Sequence, residues 1–429
     1  MNKKRHSVVL VAVVLFLASA VPLVGGTAQT AFSRSPSWIY EFLGFDVPGA
    51  SNTVLSGINN NNVIVGWTTN TEGFQVSHGF IFSNGTFAAF DVPAAGNTWP
   101  LDISDRDVVV GWCECATSLG AGYHGFRYAA GAYTIAPFEP IPGVHVGKAS
   151  GINNNGQIVG WFEQMTPGPN GTDTTRWGYV DSQQARSILF AGNNDAGHLT
   201  GLSFVNGVSA FFHNGTTTTA VTLPFRPGEV PEPEDVNNAD TVVGSYLLEA
   251  PPDMPPAFRG FVWSNGKAVS INFPGAYTTF VTGINDAGTI VGHYGEGSTS
   301  HGFIAVPHSP VTVTANGIPR AIAIDRTQPL RVDVEFIAPP NGPLTPAEVY
   351  VGVVTPYGVF WVDGSGRFVT TPTRVFAGSL ASFGPSPVIN LTSASVLPSG
   401  TYTWFAIVDD DTNGTPNATF YDLAQVTIR

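Results

Sequence analysis

The chain has 429 residues and a formal net charge of −13, and only 11% of its residues are charged. An acidic protein is repelled by nucleic acid and by anionic membranes, so this balance excludes nucleic acid as a partner. The 49 glycines and 33 prolines are typical of short strands joined by turns rather than of helices.

The N-terminus has the pattern of an export signal. Basic residues at positions 3–5 precede an apolar run over residues 8–24, and small residues favour cleavage after Ala28, with Ala20 as the alternative. Cleavage would change the charge from 18 − 31 = −13 to 15 − 31 = −16. We therefore predict a signal peptide over residues 1–28 and a secreted protein; the periplasm or the cell surface is the alternative location, and an uncleaved membrane anchor is the alternative to the signal.

The two cysteines, Cys113 and Cys115, are too few to make a metal site or a disulfide-stapled fold. They predict either a local disulfide or two free thiols. A large apolar core must then hold the fold together.

One sequence element recurs six times. Its apolar anchor falls at Ile58, Ile103, Ile152, Asn193, Val236 and Ile284, which are 45, 49, 41, 43 and 48 residues apart. A turn rich in Asn, Asp and Gly follows the anchor, and these residues tolerate left-handed backbone angles. A β-branched strand ending in glycine comes next, and this glycine predicts a bulge or a close backbone approach. Each unit has room for about four strands, the size of a propeller blade.

The sixth unit ends near residue 306 without its last strand. Residues 45–50 match the last strand of other units at residues 90–95 and 271–276. An N-terminal strand that completes the last unit would close a ring and remove two exposed sheet edges. We therefore predict a six-bladed β-propeller over residues 38–306 that is closed by an N-terminal strand. An open β-solenoid is the alternative, although it needs no closing strand.

The sequence Gly-Ile-Asn-Asn-Asn-Gly-Gln-Ile-Val-Gly at residues 151–160, paired with His-Gly-Phe at residues 301–303, resembles the HAF-repeat family of extracellular proteins. The resemblance covers about residues 38–306 and departs in the fourth unit, where Asn193 replaces the apolar anchor. It implies bacterial export and a propeller-like repeat. It implies no established activity and no catalytic residues.

Residues 311–429 lose the repeat and contain several spaced strands that predict an immunoglobulin-like β-sandwich. The segment before Tyr402 resembles the entry to a tyrosine corner. The domain is similar to β-sandwich modules appended to bacterial secreted proteins, which implies a spacer or attachment role.

Three tryptophans, Trp67, Trp112 and Trp161, follow the repeat glycine in consecutive units. Aromatic rings grouped on one arc could stack on the apolar faces of sugar rings, so we identify them as candidate ligand-binding residues. Packing between neighbouring blades is the alternative interpretation.

Two further sets of repeat-equivalent residues could carry chemistry. His78, His124 and His301 could bind zinc or copper, but they alternate with phenylalanines, which favours a packed, hydrogen-bonded position. Asp102 and Asp235 replace glycine in units two and five and could act as acid and base. Strand-end hydrogen bonding is the simpler interpretation of these two carboxyl groups.

Asp409, Asp411 and Asn413 begin a D-x-D-x-N-G pattern that resembles the opening of a calcium loop, with oxygen ligands at alternate positions before a glycine. The twelfth position is Phe420 instead of a glutamate, and a longer loop would place Asp422 there. A polar hairpin tip is the alternative to this calcium site.

The sequence contains no nucleophile elbow, metalloprotease helix, phosphate loop or haem motif. We therefore predict a secreted, non-catalytic binding or adhesion protein whose propeller face binds a polysaccharide, an envelope component or a protein. The alternatives are a carbohydrate-active hydrolase or lyase that uses channel carboxylates, and a structural surface or matrix component.

Overall fold

The fold comes from a computed structural model, which describes residues 39–70, 76–117, 120–135, 144–168, 171–224, 226–248, 256–338, 344–409, 414, 416 and 420–429. The predicted signal peptide lies outside these residues. The described chain divides into two compact units, Tyr40–Pro307 and a second one that contains His308–Arg429. Within the described residues, no helix is both long enough and apolar enough to cross a membrane.

The strands of the first unit are short, as the turn-rich composition predicts. In chain order they are β1 (Ile39–Phe45), β2 (Asn52–Ile58), β3 (Ile64–Thr69), β4 (Ser77–Ser83), β5 (Thr86–Phe90), β6 (Asn97–Ile103), β7 (Val109–Thr117), β8 (Gly120–Ala129), β9 (Ala132–Ile135), β10 (Val144–Ile152), β11 (Ile158–Gly168), β12 (Gly171–Val180), β13 (Gln183–Arg186), β14 (Ile188–Asn193), β15 (Leu199–Ser203), β16 (Ser209–His213), β17 (Thr218–Ala220), β18 (Glu232–Val236), β19 (Val242–Leu248), β20 (Ala257–Ser264), β21 (Lys267–Ile271), β22 (Thr278–Ile284), β23 (Ile290–Glu296) and β24 (Thr299–His308).

These strands form the six blades of a β-propeller, which confirms the predicted all-β repeat architecture. Blades one to five contain β2–β5, β6–β9, β10–β13, β14–β17 and β18–β21 in sequence order. The sixth sheet has the order β1-β24-β23-β22, so β1 is its outer strand. Blades two and three are linked by a single parallel pair, Val146 with Tyr123. Within β7, Cys113 and Cys115 form a disulfide bond, so the local-disulfide alternative is the one found.

The glycine that ends each repeat element is required by close backbone contact, as predicted. In blade two, a Cβ on Gly111 would lie 2.2 Å from the carbonyl oxygen of Trp99 on the neighbouring strand. In the same strand pair the register shifts between Pro100 and Asp102, which marks a bulge on the first strand. Every blade has this shift at the equivalent place. In blades two and five, the residue at the end of the bulge is an aspartate, Asp102 or Asp235.

The apolar core of the propeller lies between its blades. Val65 and Phe90 of blade one pack with Val109 and Phe126 of blade two in one buried cluster. Val291 of blade six joins the core of blade one in the same way. Fully burying one such side chain contributes roughly 1.5–3 kcal/mol, so the interfaces between blades supply much of the stability.

The second unit is a ten-stranded curled sheet around one hydrophobic core. Its strands are β25 (Val311–Ala315), β26 (Ile318–Ile324), β27 (Leu330–Phe336), β28 (Leu344–Thr355), β29 (Gly358–Val362), β30 (Phe368–Val369), β31 (Arg374–Leu380), β32 (Phe383–Leu391), β33 (Gly400–Asp409) and β34 (Phe420–Ile428), with a 3-10 turn at Ala394–Val396. The strand order is β30-β29-β28-β33-β34-β26-β25-β27-β32, with β31 paired to β28. The pair β26–β34 is parallel.

Candidate functional site

The turn after the first strand of each blade is capped by its own first side chain. In blade one, Oδ1 of Asn59 accepts hydrogen bonds from the backbone N–H groups of Asn61 (3.0 Å) and Val63 (2.9 Å). The turn ends at Asn62, whose φ of 58° is left-handed. Asn153, Asn194 and Asn237 make the same two bonds in blades three to five, and Asn285 of blade six accepts from the N–H of Thr289. The capping explains why the repeat places asparagine directly after its apolar anchor.

The capping asparagines also tie neighbouring blades together. Nδ2 of Asn237 in blade five donates to the backbone carbonyl of Asn285 in blade six, at 3.0 Å. Nδ2 of Asn285 in turn donates to the carbonyl of Asn59 in blade one, at 3.3 Å. Blades six and one are therefore bonded to each other in the same way as blades five and six.

The next residue of each turn belongs to a closed hydrogen-bonded ring. Its members alternate between asparagine and aspartate around the propeller: Asn60, Asp105, Asn154, Asp195, Asn238 and Asp286. Each backbone N–H donates to a side-chain oxygen of the following member, at 2.7–2.9 Å. Nδ2 of each asparagine also bridges the Oδ2 atoms of its two aspartate neighbours, at 2.7–3.1 Å. We call these six residues the Asn/Asp ring.

A narrow polar cavity lies on the propeller axis beside the Asn/Asp ring. Residues of all six blades line it, and it leaves about 50 Å³ for the centres of water-sized molecules. Asp102 and Asp235, which come from the bulged first strands of blades two and five, also line this axial cavity. The structure therefore brings the two predicted channel carboxylates to one place.

Both carboxylates are tied to backbone amides of their own and the next blade. Oδ1 of Asp102 accepts from Ile103 N–H at 2.7 Å, and Oδ2 accepts from Ile152 N–H at 2.7 Å. Asp235 makes the equivalent bonds to Val236 at 2.7 Å and Ile284 at 2.9 Å. The strand-end hydrogen-bonding interpretation of these residues is therefore confirmed.

Burial makes these carboxyl groups weak acids. It raises the pKa of Asp102 to about 6, against the opposing effect of its two backbone hydrogen bonds. Burial, and then the charge of Asp102, raise the pKa of Asp235 well above its usual value. Burial also raises the pKa of Glu234 to about 7, although water reaches this side chain and the charge of Lys148 opposes the shift. Asp102 and Asp235 of the axial cavity therefore hold their protons to higher pH than ordinary aspartates.

An aromatic cluster is built around Lys148 on blades two and three. The ammonium group of Lys148 lies 4.3 Å from the ring centre of Trp112 and 5.4 Å from that of Trp161. Trp99 stacks on Trp112 with ring centres 4.6 Å apart, and Tyr123 lies 5.1 Å from Trp112. The tryptophans are half-buried and Tyr123 is 37% exposed, so the cluster is accessible to a ligand. We call these four aromatic residues and Lys148 the tryptophan cluster.

The structure joins two of the three predicted tryptophans. Trp112 and Trp161 share Lys148, whereas no described ring contact links Trp67 to the tryptophan cluster. Burial lowers the pKa of Lys148, and the charge of Glu234 opposes this. Sequence reasoning missed Trp99 and Lys148. Both lie on first strands, three positions before the repeat-equivalent Asp102 or Gly151, and that spacing could have identified them.

Two of the repeat histidines are hydrogen-bonded to an aspartate, as predicted, although His78 is exposed rather than packed. Nδ1 of His78 lies 2.9 Å from Oδ2 of Asp91, and Nδ1 of His301 lies 2.9 Å from Oδ2 of Asp46. His124 is buried. In the part of the chain that the structure describes, no group of three or more His, Cys, Asp or Glu side chains is placed to hold a metal ion directly.

The predicted calcium loop is described only at its ends. Asp409 is buried at the end of β33, and the N–H of Gly414 donates to Glu348 at 3.1 Å. Asp411 and Asn413 lie outside the described residues, so the calcium site stays a prediction. Burial would raise the pKa of Glu348, but the hydrogen bonds it accepts lower it.

No family model matches the chain, and no curated protein sequence matches it. The propeller domain of a trilobed protease from Pyrococcus furiosus is 9% identical, with a TM-score of 0.37 over 59% of this chain and 95% of that one. A polysaccharide lyase, an ulvan lyase, is 10% identical, with a TM-score of 0.31 over 71% and 94%. The sialidase of Trypanosoma rangeli is 8% identical, with a TM-score of 0.34 over 92% and 90%. Likenesses this distant assign none of those activities to this chain.

Proposed function

We propose that this chain is an exported, non-catalytic binding protein that recognises a polysaccharide through the tryptophan cluster. The observation that supports the proposal is the grouping of Trp99, Trp112, Tyr123 and Trp161 around one ammonium group. Envelope components and proteins are the other partner classes that such a surface suits.

The chemistry of the tryptophan cluster favours a sugar over a purely apolar ligand. Sugar rings present apolar C–H faces that pack on indole rings, and their hydroxyl or carboxylate groups can bond to a neighbouring ammonium group. Lys148 supplies that group between Trp112 and Trp161. Because the charge of Glu234 acts on Lys148, the cluster has no unopposed positive charge, and neutral and acidic glycans are both tested.

The test is a binding screen of the mature protein against immobilised neutral and acidic polysaccharides. We expect Trp112→Ala to weaken binding at least tenfold, which corresponds to about 1.4 kcal/mol. Trp67→Ala is the matched control, since Trp67 is half-buried at the equivalent position of blade one but outside the cluster. Equal losses in both variants, or no saturable binding to any glycan, would refute the proposal.

The proposal includes the two finer features of the fold. We infer that β1 closes the propeller, which is supported by its place in the sixth sheet and by the pair His301–Asp46. We also infer that the second unit is an immunoglobulin-like sandwich with a spacer or attachment role. The hydroxyl of Tyr402 donates to the carbonyl of Pro398 at 2.9 Å, which supports the predicted tyrosine corner.

A carbohydrate-active hydrolase or lyase is the second candidate, and the raised pKa values of Asp102 and Asp235 favour it. A carboxyl group that is protonated near neutral pH can act as a general acid. If this candidate is right, the wild-type protein will generate new chain ends in a bound polysaccharide, and Asp235→Asn will not. Self-assembly of the purified protein would instead favour a structural surface component.

The calcium prediction at Asp409, Asp411 and Asn413 adds one condition to the screen. It is run in calcium and again in EDTA. If EDTA abolishes ligand binding and Asp411→Ala does the same, ligand binding requires calcium at this loop. If binding is unchanged in EDTA, ligand binding does not depend on calcium.

A further inference from the structure

The axial cavity has an excess of negative charge. Five carboxyl groups line it, from Asp102, Asp105, Asp195, Asp235 and Asp286, and no Lys or Arg side chain is among its lining residues. Like charges that face one narrow space repel each other, and a bound cation or proton removes that repulsion. The cavity therefore has the electrostatic character of a cation site.

The Asn/Asp ring presents its carboxylate oxygens around a common centre. The three Oδ2 atoms alternate with three Nδ2 atoms, and neighbouring atoms are 2.7–3.1 Å apart. In a regular ring of six atoms each atom lies one edge length from the centre, whereas Ca²⁺ needs oxygen ligands at about 2.3–2.6 Å. A bare Ca²⁺ in the plane of the ring is therefore too loosely held, and water must supply part of its coordination. Each Oδ2 already accepts two amide hydrogen bonds, so the ring offers a cation the negative charge of its carboxylates, which suits contact through water.

A separate observation inside the axial cavity points to the same kind of ligand. Asn193 stands where the other five repeats have an apolar anchor, it is only 4% exposed, and it lines the cavity. Its Nδ2 donates to the backbone carbonyl of Gln157 at 3.2 Å, which leaves Oδ1 as the unused atom. Among the described residues, nothing donates a hydrogen bond to this buried oxygen. A buried oxygen without a donor is costly unless a water or a cation occupies the space before it.

We propose that the axial cavity binds a hydrated divalent cation of the Ca²⁺ or Mg²⁺ type, through Asp102, Asp235, the Oδ2 atoms of the Asn/Asp ring and Oδ1 of Asn193. Oxygen donors are what these hard cations require, and Mg²⁺ in particular keeps several of its waters in protein sites. The space of about 50 Å³ is enough for a cation with a few waters, since one water needs roughly 10–15 Å³ in this measure. Five carboxyl groups favour a divalent cation over a monovalent one.

The variants that test this site come from the repeats themselves. Glycine occupies the position of Asp102 and Asp235 in the other four blades, so Asp102→Gly/Asp235→Gly removes two carboxylates and keeps the backbone pattern. Asn193→Val introduces the residue that blade five has at this place, Val236. Asp411→Ala is made in every background so that the predicted loop in the second unit does not contribute.

The experiment is isothermal titration of the full mature chain with CaCl₂ and with MgCl₂ after treatment with EDTA. We expect one site per chain, with affinity lowered at least tenfold by Asp102→Gly/Asp235→Gly and at least threefold by Asn193→Val.

Three results would overturn the proposal. These are the absence of a saturable site in the Asp411→Ala background, unchanged affinity in both cavity variants, and equal binding of K⁺ at the same concentrations. Glycan binding is tested with variants of the tryptophan cluster and cation binding with variants of the axial cavity. Either proposal can therefore fail without the other.

Discussion

Replacing Asn237 by alanine should loosen the contact between blades five and six. Its Oδ1 accepts from Ala239 N–H at 3.0 Å and Thr241 N–H at 3.1 Å, and its Nδ2 donates to Asn285 at 3.0 Å. Asn237 is 6% exposed, so water does not replace these bonds freely. Three hydrogen bonds at about 1 kcal/mol each give a loss of about 3 kcal/mol. For a domain of this size that lowers the Tm by roughly 6–12 °C.

Blade two provides the matched control for this substitution. Ser104 occupies the capping position there, and its Oγ accepts one bond from Val108 N–H at 3.3 Å. Asn237→Ser should therefore keep part of the cap and lose the bond to blade six, at a cost of about 2 kcal/mol. The reverse change, Ser104→Asn, should add the bond to blade three and stabilise the propeller by about 1 kcal/mol.

Urea-dependent hydrogen exchange followed by mass spectrometry on propeller peptides measures these free energies without interference from the second unit. If Asn237→Ala lowers the unfolding free energy by less than about 1 kcal/mol, the reasoning is refuted, since even two neutral hydrogen bonds should contribute more than that. If Ser104→Asn destabilises the propeller, an asparagine at this position does not form the same bond between blades two and three.

Three further predictions concern other parts of the propeller. Gly244→Ala should lower the unfolding free energy of the propeller by more than about 2 kcal/mol, because its Cβ would lie 2.1 Å from the carbonyl oxygen of Glu232. Gly85→Ala has open space but a left-handed φ of 77°, so it should lower that free energy by about 1 kcal/mol. Thermal melts of both variants measure the difference. The pKa of an ordinary aspartate is 3.8 and that of Asp102 is about 6 in the folded protein, so the contribution of Asp102 to stability falls as the pH rises through that interval. The unfolding free energy of the wild type minus that of Asp102→Asn should therefore decrease from pH 4 to pH 7. A difference that does not change with pH would contradict this. His301→Ala should speed hydrogen exchange in β1 because it removes the bond to Asp46, whereas His78→Ala, which loses Asp91, should leave β1 unchanged; equal rates in β1 would disprove the link.

The repeat pattern made the propeller predictable from the sequence. Tight turns need residues that adopt left-handed angles, and the strand glycine is forced by the carbonyl that it faces, as at Gly111. These are local requirements, so they leave a signal at fixed positions in every unit. His78 and His301 also leave a repeated signal, because their partners Asp91 and Asp46 each come directly after the outer strand of a blade.

The candidate site was less predictable because it depends on contacts between units. The sequence shows that Asn60 and Asp105 occupy equivalent positions, but not that their side chains meet across a blade interface. Likewise, Trp112 could be identified by its repeat position, whereas the role of Lys148 depends on a neighbouring blade. Trp67 has the same repeat position as Trp112 but different neighbours, and a periodic pattern alone does not distinguish the two.

The Asn/Asp ring limits how such a propeller can change in size. Each asparagine amide lies between two carboxylates, and each carboxylate lies between two amides. Deleting or inserting a single blade would bring two carboxylates or two amides together, with repulsion or unused donors at that junction. Only an even number of blades preserves the alternation. Growth or loss of this propeller by duplication should therefore proceed in two-blade steps, with a pair such as the blades of Asn60 and Asp105 as the inherited unit.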